Sequence, residues 1–203
     1  MLTIHADSRG HALAVKGAWI AGAGALEELV AAHPQARVRE WPGILTPGLI
    51  NLHGNELLEE AYHPDPREAD ELGTEPITGE ALVALAQSMD AARWGASARR
   101  GVQRMLAHGT VRAACEELRN RAVSDAVHRT GLAVMGRIGR PGGTPALDPY
   151  DAGLPVEFAE PRERHSAARF AVFDVRDEGE LAERGARTCV ATVVDGRLVY
   201  RRR

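Results

Sequence analysis

Residues 53–63, HGNELLEEAYH, place two histidines and three glutamates within eleven positions. Imidazole nitrogen and carboxylate oxygen are the donors that zinc and iron sites use. If the stretch is helical, Glu56, Glu59, Glu60 and His63 stand at i, i+3, i+4 and i+7, on one face. Glu60 and His63 then have the Glu-x-x-His spacing of carboxylate-bridged metal centres. The alternative is a solvated acidic face ahead of Pro64-Asp65-Pro66, where a helix must stop. His53 has two readings as well: a metal ligand, or a strand-end histidine hydrogen-bonded to backbone.

Other candidates point to structure rather than chemistry. His108 and His128 fall near the ends of expected helices, where an imidazolium interacts favourably with the helix dipole. His165 lies in the charged run EPRERHS and reads as exposed. Cys115 and Cys189 are far apart, lack metal-site spacing and read as small buried apolar groups. The stretch Gly136–Gly143, GRIGRPGG, follows a strand but lacks the Gly-x-Gly-x-x-Gly pattern, so it reads as a loop.

The elements that must hold these residues alternate. Leu2–Ile4, Ala12–Val15, Ala18–Ile20 and Val38–Trp41 are short strand candidates, with a helix over Ala25–Ala32. Leu45–Leu52 is a nearly continuous apolar run and reads as one strand buried on both faces. Thr78 is an N-cap candidate for a helix through GEALVALAQSMDAARW, and a second helix spans Ala96–Ala107 with Gly109 at C′. The strand TVRAAC, a helix stopped by Gly131 and the strand LAVMGRI then follow. This is the order of a parallel α/β unit. Arg140–Ala159 is rich in Pro, Gly and Asp and reads as a loop or boundary. Phe170–Val175 is a strand, and Asp195-Gly196 between apolar runs signals a hairpin.

The chain has 203 residues, 44% hydrophobic and 26% charged, with a formal net charge of -3. That composition suits a globular protein and gives no basic surface for nucleic acid or an anionic membrane. Lys16 is the sole lysine, and arginine supplies 24 of the 25 basic residues. Arg201–Arg203 reads as a solvated tail. No run reaches the ~18 apolar residues of a membrane helix. The start has no signal-peptide pattern, so the expected location is cytoplasmic.

Three stretches resemble the amidohydrolase superfamily, near imidazolonepropionases and aminofutalosine deaminases. They are GAWIAGAGALEELVAAHPQARVREWPGILTPGLINLH, ARRGVQRMLAHGTVRAA (Ala98–Ala114) and ARFAVFDV…GARTCVATVVDGRLVYRR. The resemblance implies a small β-domain that leads through TPGLINLH into a first barrel strand, with the chain returning to the β-domain at its end. It also implies that His53 matches the first ligand of a His-x-His metal pair. Asn55 stands at the second position, where an amide oxygen is a poor zinc ligand. A full (β/α)₈ barrel needs at least ~200 residues, and residues 45–166 fall short of that.

The expected fold class is therefore α/β. A small β-sandwich-like domain, from residues 1–44 and 167–203, joins a truncated (β/α) barrel fragment of about three βα units over 45–166. The expected function is a shortened, degenerate amidohydrolase-like protein serving as a non-catalytic binding or assembly module. The alternative is a metal-dependent hydrolase of non-peptide C–N bonds. No cofactor is expected unless a metal site persists, in which case zinc or iron binds at His53 with help from Glu56, Glu60 or His63. Three parallel strands cannot close on themselves, and open strand edges invite association. A homo-oligomer, a dimer foremost, is the expected assembly, with no nucleic-acid or membrane partner.

Overall fold

The structure is a computed structural model that describes residues 1–159 and 164–202. It is an α/β protein whose strands, among the described residues, form three four-stranded sheets.

The first sheet begins with β1 (Leu2–Ala6), β2 (His11–Lys16) and β3 (Trp19–Ala25), joined as antiparallel neighbours. Helix α1 (Leu26–Ala32) then returns the chain to β4 (Arg37–Glu40), parallel to β1. Strand periodicity sorts the side chains. Ala12 and Ala14 join Ile4, Ala6 and Leu29 of α1 on one face, while Leu13 and Val15 join Ile20 and Trp41 on the other.

Next come β5 (Ile44–Pro47) and β6 (Leu49–Asn51). The run Leu45–Leu52 is thus not one strand but two, in different sheets. β5 pairs with β10 (Phe170–Phe173) in the second sheet, which β11 (Cys189–Val194) and β12 (Arg197–Arg201) complete in the order β12-β11-β10-β5, and β6 lies in the third. Gly48 makes the passage. A Cβ built on it would lie 2.3 Å from a Val111 methyl, so no larger residue fits where the chain crosses.

Between β6 and β10 lie α2 (Gly54–Leu58), α3 (Ala69–Leu72), α4 (Gly79–Ala86), α5 (Ala91–Ala107), β7 (Thr110–Cys115), α6 (Arg121–Thr130), β8 (Ala133–Gly136) and β9 (Glu157–Phe158). The chain closes with α7 (Glu178–Arg184), β11 (Cys189–Val194) and β12 (Arg197–Arg201). The third sheet runs β8-β7-β6-β9, with β6, β7 and β8 parallel and β9 antiparallel to β6. Helices α5 and α6 cover one of its faces, burying Val102, Met105, Val123 and Val127 against Ile50, Val111 and Ala113.

Helix boundaries correct the sequence reading at several points. The helix expected from Thr78 through Trp94 stops at Ala86, and Thr78 makes no side-chain cap bond. Asp90 caps α5 by accepting from Arg93 N at 2.8 Å, which starts that helix at Ala91 rather than Ala96. The acidic helix ends at Leu58, too short to bring Glu56 and His63 onto one face. The Arg140–Ala159 segment is not all loop: it holds a 3₁₀ turn, Pro149–Ala152, and β9. Other expectations stand. Asp195 (φ 48°) and Gly196 (φ 73°) turn the β11–β12 hairpin, and Gly131 (φ 82°) ends α6. Arg201 is not a free tail but the last residue of β12, its guanidinium 5.8 Å from the Trp41 ring centre; Arg203 lies outside the described residues.

The first two sheets share a core. Leu13, Val15, Ile20 and Trp41 meet Leu45, Phe170, Val172 and Val193. The Trp41 indole N–H donates to His5 Nδ1 at 3.1 Å, and the His5 ring stands edge-on to Phe170 at 5.0 Å. Burial, with the Arg39 charge adding to it, pushes His5 down to about 4, so the ring stays neutral and can accept that bond.

Overpacking a close approach of this kind costs about 1–3 kcal/mol. Gly48→Ala is therefore expected to destabilise the protein by that amount, and adding Val111→Ala should recover part of the loss. Urea unfolding of the two variants checks this, and an unchanged midpoint for Gly48→Ala would contradict the packing described.

Candidate functional site

Parallel strands end together, and in open α/β sheets ligands bind beyond those carboxyl ends. Here β6 ends at Asn51, β7 at Cys115 and β8 at Gly136. His53 is the N-cap residue of α2, which crosses the strand ends. Gly54 permits that crossing: a Cβ there would lie 2.3 Å from Cys115 Sγ and 2.6 Å from the Ala114 carbonyl oxygen.

The group in the middle is Arg137, one residue past β8. Its backbone N–H donates to Cys115 O at 2.9 Å, extending the ladder by one residue. Its guanidinium turns back over the strand ends. Nη1 donates to Leu52 O at 2.8 Å, and Nη2 lies 2.8 and 2.9 Å from the two carboxylate oxygens of Glu56. Nη2 is also 3.3 Å from Asn55 Oδ1, which in turn accepts from Glu116 N at 2.8 Å. The side chains are 11% and 7% exposed, so this is a buried ion pair. Burial alone pushes the Glu56 carboxyl up, but the Arg137 hydrogen bond and charge outweigh it and hold the group below its usual value.

His53 is buried, and its Nε2–H donates to Gly142 O at 3.0 Å. Its backbone N–H donates to Asn51 Oδ1 at 2.9 Å, and Asn51 Nδ2 donates to Ala146 O at 2.8 Å. The strand end thereby pins the loop that follows β8. His53 Nδ1 is buried without a hydrogen-bond partner. The residue borders a cavity of about 10 Å³, room for about one water molecule.

The other acidic candidates diverge. Glu59 accepts from Asn120 N, Glu60 pairs with Arg140 at 2.5 Å, and His63 Nε2–H donates to Leu57 O at 2.7 Å. Ser97 Oγ accepts from His63 N at 2.8 Å, fixing that histidine between α2 and α5. Glu60 and His63 therefore serve different neighbours. Among the described residues no group of three or more His, Cys, Asp or Glu side chains is placed to hold a metal ion.

The oxygens gathered around Arg137 do not fit a hard divalent cation. Leu52 O, Asn55 Oδ1 and the Glu56 carboxylate, the oxygens a hard cation would use, already face a guanidinium whose charge repels a second cation. Asn55, at the second position of the His-x-His pattern, serves Arg137 and Glu116 N instead. Sequence reasoning passed over Arg137 because it lies in a glycine-rich stretch of a chain with 24 arginines. The one available signal was its place, the first residue past a strand parallel to the one that leads to Glu56.

Beside this hub lies an open cleft of about 1030 Å³, lined among others by Glu56, Glu59, Glu60, Arg104, His108 and Arg140. Its charges are largely engaged: Glu56 with Arg137, Glu60 with Arg140, and Arg104 with Glu75 at 3.5 Å. His108, the C-cap residue of α5, donates from Nδ1 to Arg104 O at 2.8 Å, and His128, in the last turn of α6, donates to Ser124 O at 2.7 Å. Burial pushes the thiols of Cys115 and Cys189 up to about 11, which leaves neither as a thiolate nucleophile at neutral pH.

No protein-family model matches the sequence, and no curated protein is similar to it. Among solved structures the chain is similar to the ochratoxinase of A. niger, with 17% identity, 66% of this chain and 31% of that chain covered, and a TM-score of 0.44. It is similar to an adenosine deaminase of Xanthomonas campestris with bound zinc, with 15% identity, 66% and 32% covered, and a TM-score of 0.46. It is also similar to the aminofutalosine deaminase of Helicobacter pylori, with 12% identity, 72% and 36% covered, and a TM-score of 0.41. The chain spans about a third of the length of these neighbours.

Removing one partner of a buried ion pair strands the other charge at a cost of about 3–5 kcal/mol, whereas replacing both with apolar groups costs far less. Glu56→Leu and Arg137→Met are each expected to show that loss in urea unfolding, and the double variant less than either single. Additive losses would contradict the pairing. The Glu56 carboxyl has an ordinary value of 4.5 and a lower one when folded. Its contribution is complete above the ordinary value and is lost as pH falls through the folded one. Stability below about pH 4.5 should therefore fall more steeply in the wild type than in Glu56→Gln.

Proposed function

We propose that this chain is a non-catalytic binding or assembly module on a shortened, composite amidohydrolase-like framework, with residues 1–44 and 167–203 as a β-domain and 45–166 as a partial (β/α) unit. The observation that carries this reading is the Arg137 guanidinium bound to Leu52 O, Asn55 and Glu56 at the strand ends. A fixed internal cation there neutralises the acid and fills the mouth at which the sequence resemblance places a metal. Of the carboxylates lining the adjoining cleft, Glu56 and Glu60 are held in ion pairs and Glu59 and Asp148 accept backbone N–H groups, so none of these four stands free as a general base.

One observation favours a second reading, a metal-dependent hydrolase of non-peptide C–N bonds. His53 Nδ1 is buried with a lone pair that no group among the described residues satisfies, and an imidazole nitrogen in that state is a zinc or iron ligand in waiting.

Assembly is proposed to run through β8. The far edge of β6 is covered by β9, but among the described residues β8 pairs with β7 alone. The strand carries no charge or proline, and Val134 and Met135 are 41% and 37% exposed. Such edges pair with other chains unless something blunts them, and a second copy in a dimer is the partner proposed.

One preparation tests both parts. The protein is expressed with added zinc and iron beside a His53→Ala control, its metal content is determined, and its mass is measured by sedimentation. The module reading expects no His53-dependent metal and a dimer. About one metal ion per chain, lost in His53→Ala, would overturn it in favour of the hydrolase, and a monomer at all concentrations would overturn the assembly role.

A further inference from the structure

Helix α1 covers only part of the first sheet, because it ends at Ala32. Beyond its end an open cavity of about 1100 Å³ remains, its apolar lining supplied by Leu2 of β1, Leu29 of α1 and the Ala21–Ala23 stretch of β3. Its rim is cationic. Lys16 closes β2, and its register partners are Leu2 on β1 and Trp19 on β3, which places lysine and indole side by side across the hairpin. His33, the C-cap residue of α1, forms another wall.

The remaining wall is laced in place by backbone. His165 N donates to Ile20 O at 2.8 Å, Ile20 N to Ser166 O at 2.9 Å and Ala168 N to Ala18 O at 2.8 Å. His165 takes φ 71°, a left-handed conformation uncommon outside glycine, and so turns the chain where Arg164 and His165 line the cavity. Trp19 is 59% exposed at this rim, while Trp41 is 6% exposed in the core.

The two large cavities differ in sign. Glutamate and aspartate line the strand-end cleft, whereas no carboxylate lines this one among the described residues. Cations attract an anionic group, an exposed indole offers a face for a flat ring, and an apolar lining holds the ring's body.

We propose that this cavity binds a small planar organic anion, its charged group held by Lys16, His33 and His165 and its ring set against Trp19. The elements involved are not those of the strand-end hub, so the proposal stands whichever reading of that hub holds.

Lys16 is the only lysine in the chain, which makes the test direct. Reductive ¹³C-methylation gives one lysine signal beside that of the N-terminus, and Lys16→Arg identifies it by its loss. Indole-3-acetate and adenosine 5′-monophosphate are titrated to about 10 mM, with neutral indole and inorganic phosphate as comparisons. The expected result is a saturable shift of the Lys16 signal and quenching of tryptophan emission by at least one planar anion. Lys16→Gln and Trp19→Leu should each weaken that binding about tenfold or more. No shift with either planar anion, an equal response to neutral indole, or an equal response to phosphate alone would each overturn the proposal.

Discussion

The buried pair of Arg137 and Glu56 governs the parallel half of this protein. Two charges at 7–11% side-chain exposure cannot be left alone there. The strands are therefore held in the arrangement that supplies further bonds, Leu52 O following β6, Asn55 from α2, and Cys115 O accepting the Arg137 backbone N–H, with Nε alone of the guanidinium nitrogens left without a partner among the described residues. Such a pair contributes less to net stability than its Coulomb attraction suggests, because desolvation opposes it. Its stronger effect is on specificity, since any other packing of α2 or β8 would strand a charge.

The rest of the molecule arranges itself around that constraint. With α2 drawn over the strand ends, Asn51 and His53 capture the loop after β8 through Ala146 O and Gly142 O. That capture returns the chain as β9 to cover the outer edge of β6. Gly48 divides the adjoining apolar run between the second and third sheets, coupling the strand-end hub to the core built from Phe170, Val172 and Leu45.

Elements fixed by local chemistry were legible in the sequence. The Asp195-Gly196 hairpin, the Gly131 stop, the strand TVRAAC and the short helix after β3 all follow from turn residues or periodicity. What failed were features set by distant partners. Leu45–Leu52 has the composition of one buried strand, and only the Val111 side chain, more than fifty residues on, shows why Gly48 must divide it. The stretch from Glu56 to His63 has helical spacing, but Arg137, Asn120 N and Leu57 O draw its side chains apart. His53 was singled out from its place at a strand end, and it does lie just past β6, at the N-cap of α2. Arg137 was not, because an arginine in a glycine-rich loop carries no local mark of the acid it will meet.

The central claim is that the protein supplies its own cation at the strand ends. Arg137→Ala removes it and leaves a hole the shape of ethylguanidinium beside the Glu56 carboxylate. A ligand that binds only the folded state raises the unfolding midpoint, and raises it further the more its concentration exceeds its dissociation constant. The decisive measurement is the thermal midpoint of Arg137→Ala and of the wild type with millimolar ethylguanidinium or micromolar zinc. The account predicts that ethylguanidinium raises the midpoint of the variant and not of the wild type, and that zinc leaves the wild type unmoved. A wild type stabilised by zinc, together with a variant indifferent to ethylguanidinium, would contradict it.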